Sequence, residues 1–213
     1  MQPKTFIILL DTDYYNKLVE NTIADAKLLN WNIEIFPAIN GLTVTNQTWE
    51  DYGIFWSYHR ETDNKPGVYG CFLSHWILWN KCAEINQPII ILEHDATILH
   101  EWRDINLYYV EILKLFPGYT VRHLTDNVAG KWSVGAHGYY ITPIGAKKLI
   151  NFVKIHGAFA ADVIMGDNVV DVRFDPLFRI GRHNTLNSST AEIPYSFDTN
   201  KNCIYIPKFD LDH

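Results

Sequence analysis

The chain has 213 residues, 47% of them apolar, which is enough for a sizeable core and close to the upper size of one ordinary domain. Its 24 acidic residues outweigh 18 basic ones for a net charge of −6, and no run of Lys and Arg is long enough to track a phosphate backbone, which argues against a general nucleic-acid or anionic-membrane binder. Cys71, Cys82 and Cys203 are odd in number and lack a metal-type CxxC spacing, so no disulfide framework is expected and a reducing, cytoplasmic setting is the default.

In chain order, Phe6 to Leu10 predicts a buried strand. It is too short for a signal-peptide core or a membrane span, and Asp11 follows at once. Asp11 to Asp13 can turn the chain and cap a helix in which Leu18, Thr22, Ile23, Ala26 and Leu29 recur near helical spacing. Ile33 to Phe36 alternates as a second strand and closes on a turn at Asn40 and Gly41, giving a βαβ opening. Leu42 to Lys65 shows no clean period and is expected to be irregular. From Gly67 to Asn86 a helix is predicted, with Cys71, Ser74, His75, Leu78, Trp79 and Cys82 on one face. Phe72, Leu73, Trp76 and Ile77 make the rest apolar too, as in a helix buried on two sides. Ile89 to Leu92 has the continuous apolar character of a central parallel strand. Tyr139 to Ile141 reads as a further strand, after which Thr142 can cap and Pro143 can start a helix running through about Val153. Beyond it only brief strands are expected, such as Cys203 to Pro207. The class is α/β, with a mainly parallel sheet and flanking helices in a single domain.

The strand at Ile89 runs into Glu93, His94 and Asp95. In an extended segment the two carboxylates project to one side, about 6 to 7 Å apart, and His94 points away. At the carboxyl end of a central strand, where open α/β sheets bind ligands, such a pair can hold a hard cation such as Mg²⁺ or Mn²⁺, with substrate phosphates completing the shell. The same tripeptide is also what a strand surfacing into a polar loop leaves behind. There is no GxGxxG and no P-loop, which argues against a dinucleotide cofactor or NTP hydrolysis.

Several elements in order resemble glycosyltransferase family 25, the group of lipooligosaccharide and collagen galactosyltransferases. Gly70, Cys71, Ser74, His75 and Trp79 match its G-C-x-x-S-H helix with a following Trp. Glu93, Asp95 and Ala96 match its E-D-D-A strand end, and Tyr140, Ile141, Gly145, Ala146 and Leu149 match a later A-Y-x-I-S-x-x-G-A-x-x-L segment. The opening strand and its "AING" turn are similar too, so the resemblance spans roughly Phe6 to Phe178. It departs at His94 and Asn40, each standing where the family has Asp, and in lacking the Arg pair after the first strand; "NSST" at Asn187 to Thr190 is only loosely similar to a late Ser-Asp element.

The resemblance implies a GT-A-like fold over 1–213, with residues 1–96 as the nucleotide-sugar half and 97–213 as the acceptor side. It implies transfer of a hexose from a nucleotide diphosphate sugar, with UDP as the expected nucleotide, to an acceptor hydroxyl of a lipooligosaccharide or other glycan, with inversion and with Mn²⁺ or Mg²⁺ bound. Asp95 is the first choice for metal ligation, Glu93 for a supporting or ribose contact, and His183 for a third ligand, against a plain surface histidine. Asp162 is the candidate general base, a role worth typically about 10² to 10⁴ in rate, with Asp167 and Asp171 as rivals and a helix-cap or turn role as the alternative for each. Ser74 and His75 are expected either to touch the donor or to be buried hydrogen-bonding groups. Leu10, Asp11, Asn40 and Gly41 are placed for the nucleoside, and Gly145 and Ala146 for helix packing. Two rival functions stand beside this one: transfer onto a hydroxylated base in DNA, as in a viral source, and a non-catalytic glycan-binding module. The expected location is cytoplasmic, with a peripheral place at the inner membrane as the alternative.

Overall fold

An apolar run of this kind needs a strand covered on both faces, and β1 (Lys4–Leu9) is one, with Phe6 and Ile7 fully buried on opposite sides. The structure, a computed structural model, describes residues 2–57, 65–102, 110–116, 120–122, 131–133, 135–166, 168–175, 177 and 179–182. Thr12 caps α1 (Asp13–Leu28) by accepting from the Tyr15 amide, and Val19, Thr22 and Ala26 form the helix's buried stripe. β2 (Ile33–Pro37) returns parallel to β1.

The stretch expected to be irregular contains a 3₁₀ turn at Gly41–Thr43 and a short helix, α2 (Asn46–Asp51). Six residues with Trp49 as the buried one carry too little period to detect, and the signal is instead the reciprocal cap between Thr45 and Thr48. α3 (Pro66–Ile85) begins at its proline and stops at Asn86, which sits in the left-handed region with φ 51°. As expected, it is apolar nearly all round.

The remaining elements are β3 (Ile89–Glu93), β4 (Ala96–Ile98), β5 (Ile112–Lys114), β6 (Thr120–Arg122), β7 (Lys131–Ser133), β8 (Gly138–Ile141), α4 (Pro143–His156), α5 (Ala161–Ile164), β9 (Val172–Phe174) and β10 (Ile180–Arg182). Thr142 caps α4 through the Gly145 amide, as the Thr-Pro pair predicts. The predicted strand at Cys203 lies outside the described residues.

Six strands form one sheet in the order β2-β1-β3-β8-β5-β9, drawing three strands from each half of the chain. Three of its pairings are parallel, but β8 runs antiparallel to both β3 and β5. β3 is therefore parallel to β1 and antiparallel to β8, within a sheet whose pairings are mainly parallel, as expected. β4 pairs with β10, and β6 with β7, as separate two-stranded ladders.

Alternation along the strands builds two cores. Ile89, Ile91 and Tyr139 face α3 and α4, while Ile90, Leu92 and Tyr140 face the side of α1. Among the described residues no helix is long and apolar enough to cross a membrane.

Candidate functional site

The register fixes which residues meet. Ile8 lies opposite Glu93 and Leu9 opposite Pro37, so the carboxyl ends of β2, β1 and β3 lie side by side. Leu10 and Asp11 leave β1 beside Glu93, and Asn40 and Gly41 follow β2 one strand further out. Asp11 accepts from the Asn16 amide group, and Asn40 caps the 3₁₀ turn through the Leu42 amide. Gly41 and Gly70 are where α3 crosses the turn: a Cβ on Gly41 would lie 1.6 Å from the Pro66 carbonyl oxygen, and one on Gly70 2.4 Å from that of Ile39. Both glycines thus serve a backbone-on-backbone contact.

Glu93 keeps the parity of Ile89 and Ile91 and points to α3. One carboxylate oxygen, Oε1, lies 3.3 Å from His75 Nε2 and accepts the Cys71 thiol at 3.6 Å; the other, Oε2, lies 3.0 Å from His137 Nδ1. Burial pushes the Glu93 carboxyl up, but the hydrogen bonds from His137 and His75 outweigh it and hold the group well below the usual carboxylate range. Burial, followed by the negative charges of Glu93, Asp162 and Asp95, pushes the Cys71 thiol well above its ordinary value. Cys71 is accordingly a thiol donor here.

The carboxylates converge by a different route from the one expected. The strand ends at Glu93 and the chain turns at His94 and Asp95 before β4, so the ligand atoms of Glu93, Asp95 and His137 all lie within 4.8 Å of one another. Asp95 is buried, with Oδ1 3.7 Å from His137 Nδ1. α1 braces the back of this turn: Thr22 donates to the Ala96 carbonyl at 2.6 Å, and the His94 ring sits 4.2 Å from that of Tyr15.

His75 is fully buried, and its partners fix its proton. Indole nitrogen only donates, so Trp79 Nε1 gives its hydrogen to the Tyr139 hydroxyl at 2.9 Å. That hydroxyl then donates to His75 Nδ1 at 2.7 Å, which leaves Nε2–H to donate to Glu93. The chain Trp79, Tyr139, His75, Glu93 thus runs in one direction and aims the carboxylate. Ser74 is equally buried, accepting from the Ile39 amide and donating to the Gly70 carbonyl.

On the far wall, Asp162 in α5 accepts the Gly135 amide at 3.1 Å, two residues before His137. Asp171 is elsewhere: its carbonyl receives the Ile112 amide, at the end of the sheet where Ile141 pairs with Ile89, opposite Glu93. Asp167, His183 and Asn187 to Thr190 lie outside the described residues, although β10 ends with Arg182 opposite Ala96.

Sequence reasoning missed His137 and Lys114. His137 becomes Glu93's neighbour only because β8 is antiparallel to β3, with Leu92 opposite Gly138 and the Glu93 amide on the His137 carbonyl at 2.9 Å. The available signal was a His immediately before the "GYYI" strand. Lys114, inside the apolar run Ile112 to Phe116, carries no such signal.

Residues 2–115 match the model of the family described as glycosyltransferase family 25 (LPS biosynthesis protein). The chain belongs to glycosyltransferase family 25. Two curated proteins, each called a glycosyltransferase 25 family member, are similar to it. The one from Aedes aegypti is 26% identical, over 57% of this chain, and the one from Anopheles gambiae 28% identical, over 58%. In both cases the match takes in 24% of the relative, so the chain spans about a quarter of the length of these proteins. Among solved structures, the glycosyltransferase GlyE of Streptococcus pneumoniae TIGR4 aligns with a TM-score of 0.42 at 8% identity, over 83% of this chain and 46% of that one. A Drosophila β1,4-galactosyltransferase 7 mutant in complex with manganese, UDP-Gal and xylobiose aligns with a TM-score of 0.35 at 11% identity, over 69% of this chain and 52% of that one.

Proposed function

We propose that the chain is a metal-dependent transferase that moves a hexose from a nucleotide diphosphate sugar, with UDP as the nucleotide, to a hydroxyl of a lipooligosaccharide or another glycan, with inversion. The observation that carries this reading is the meeting of Glu93, Asp95 and His137 within 4.8 Å at the carboxyl end of the sheet, in a chain of this family. Two carboxylates and an imidazole form a donor set suited to Mn²⁺ or Mg²⁺.

Asp95 and His137 would hold the ion directly. Glu93 Oε1 accepts from His75 and suits the supporting contact, while the bond from His137 Nδ1 to Oε2 would be given up when that nitrogen takes the ion. When bound there, a divalent cation offsets the charge that develops on the diphosphate leaving group. Asp11 and Asn40, on the adjoining strand ends, border the place for the nucleoside. Asp162 accepts the proton of the attacking hydroxyl.

The test is isothermal titration against nucleotides and nucleotide sugars with and without Mn²⁺. Wild type should bind one nucleotide in a Mn²⁺-dependent way, Asp95→Ala should lose that binding, and Asp162→Asn should keep it while losing transfer. Absence of nucleotide binding under every condition would overturn the proposal and favour a module without catalysis.

A further inference from the structure

Lys114 is a fully buried lysine in an apolar strand, flanked by Ile112, Leu113 and Leu115. It points to the α3 face, under the site. A buried ammonium is costly, and a methionine or leucine would fill the same space without that cost, so the fold alone gives no reason for it. Its hydrogen bond goes to a carbonyl, that of Gly135, at 2.8 Å, with Met165 Sδ at 3.8 Å.

Gly135 is the junction of the far wall. Its φ of 96° belongs to glycine, and a Cβ there would meet His137 Nε2 and Phe116 Cζ at 3.2 Å. Its amide is held by Asp162 and its carbonyl by Lys114, so one residue is fixed from both sides, and the chain runs from it directly to His137.

We propose that Lys114 is a positioning residue for sugar transfer, holding Asp162 and His137 in register across the site through the two polar groups of Gly135. The inference rests on the reading of Asp162 as the base. The groups facing the ammonium are Asp162 from α5, Met165 just after it, Glu93 from β3, the Tyr139 ring of β8 at 5.3 Å and the Phe116 ring at 5.9 Å. Burial lowers the lysine to about 8, against the opposing pull of Asp162 and Glu93, so its charge can be removed without denaturing pH.

Two measurements test this. In wild type, carbon NMR should show the Gly135 carbonyl and the Asp162 carboxyl shifting with the same midpoint as Lys114 Cε between pH 6 and 10. Lys114 titrating while Gly135 stays still would overturn the proposal. In Lys114→Met, kcat should fall by on the order of 10²-fold, as for a misplaced catalytic group, with Mn²⁺ affinity weakened through His137 and with donor KM unchanged at saturating Mn²⁺. Unchanged kcat would overturn it, as would a loss confined to binding. Should the variant not fold, the wild-type titration decides alone. Should wild type bind no nucleotide, the proposed function falls, and the same titration still decides whether the clamp on Gly135 exists.

Discussion

At the scale of single residues, the Tyr139 hydroxyl is the most consequential polar atom away from the reacting groups. It takes the Trp79 proton and passes its own to His75, and both partners are buried. Tyr139→Phe leaves an indole N–H and an imidazole nitrogen without their partner, at a cost of about 1–3 kcal/mol. Urea unfolding should show that loss, and nitrogen NMR of His75 should show the Nε2–H form losing its dominance. A variant with wild-type stability and tautomer would refute the directional chain. Glu93, Asp95 and His75 could be singled out in the sequence because each stands in a local pattern, a strand end or a helix face, although Asp95 reaches its place by the turn after β3 and not by strand alternation. His137 and Lys114 could not, because their roles depend on which strand lies next to which, and hydrophobic period is silent on that.

At the scale of elements, the crossing of α3 over the turn after β2 is a contact between backbones, and it sets how deep His75 and Cys71 sit against Glu93. A methyl group at Gly70 would meet the Ile39 carbonyl oxygen at 2.4 Å and the Gly41 amide nitrogen at 2.7 Å, with no flexible side chain to give way. Gly70→Ala should therefore destabilise by about 1–3 kcal/mol, the usual range for overpacking, and should weaken Mn²⁺ binding by lifting the helix. Equal stability in chemical denaturation would contradict the tight crossing. The helices α1, α3 and α4 were legible because each carries a long period and a recognisable start, whether Thr12, Pro66 or the Thr142-Pro143 pair. α2 and the three-residue strands β4, β5, β9 and β10 were not, since segments that short are specified by pairing and capping rather than by period.

At the scale of the whole molecule, the buried titratable groups set a direction for stability above neutral pH. Burial pushes Cys82 up to about 12 and raises Cys71 and Tyr139 as well; in that range the unfolded chain loses these protons first, so stability falls as pH rises through about 9 and beyond. Lys114 works the other way. Its folded value of about 8 lies below the ordinary 10.5, so the unfolded state holds the extra proton between those values and the lysine's penalty is relieved as pH rises. With Tyr140, which burial also raises, four groups oppose one, and urea midpoints should decline between pH 9 and 11, less steeply in Cys82→Ala. A flat profile in wild type would contradict that balance.

The antiparallel seat of β8 between β3 and β5 bears on how the molecule comes into being. Gly138 reaches Leu92 only after about 45 residues of chain have been closed into a loop, an entropic cost incurred before any contact repays it. The stretch matched by the family model, 2–115, carries Glu93, Asp95, His75 and Lys114 but ends before Gly135, His137, Tyr139 and Asp162. A growing chain thus displays both carboxylates well before the imidazole that gathers them and the peptide that holds the wall opposite. The acid and imidazole cluster is complete only in a chain whose β8 has been seated, and its assembly is a late event in folding, timed by long-range strand pairing rather than by the helices that flank it.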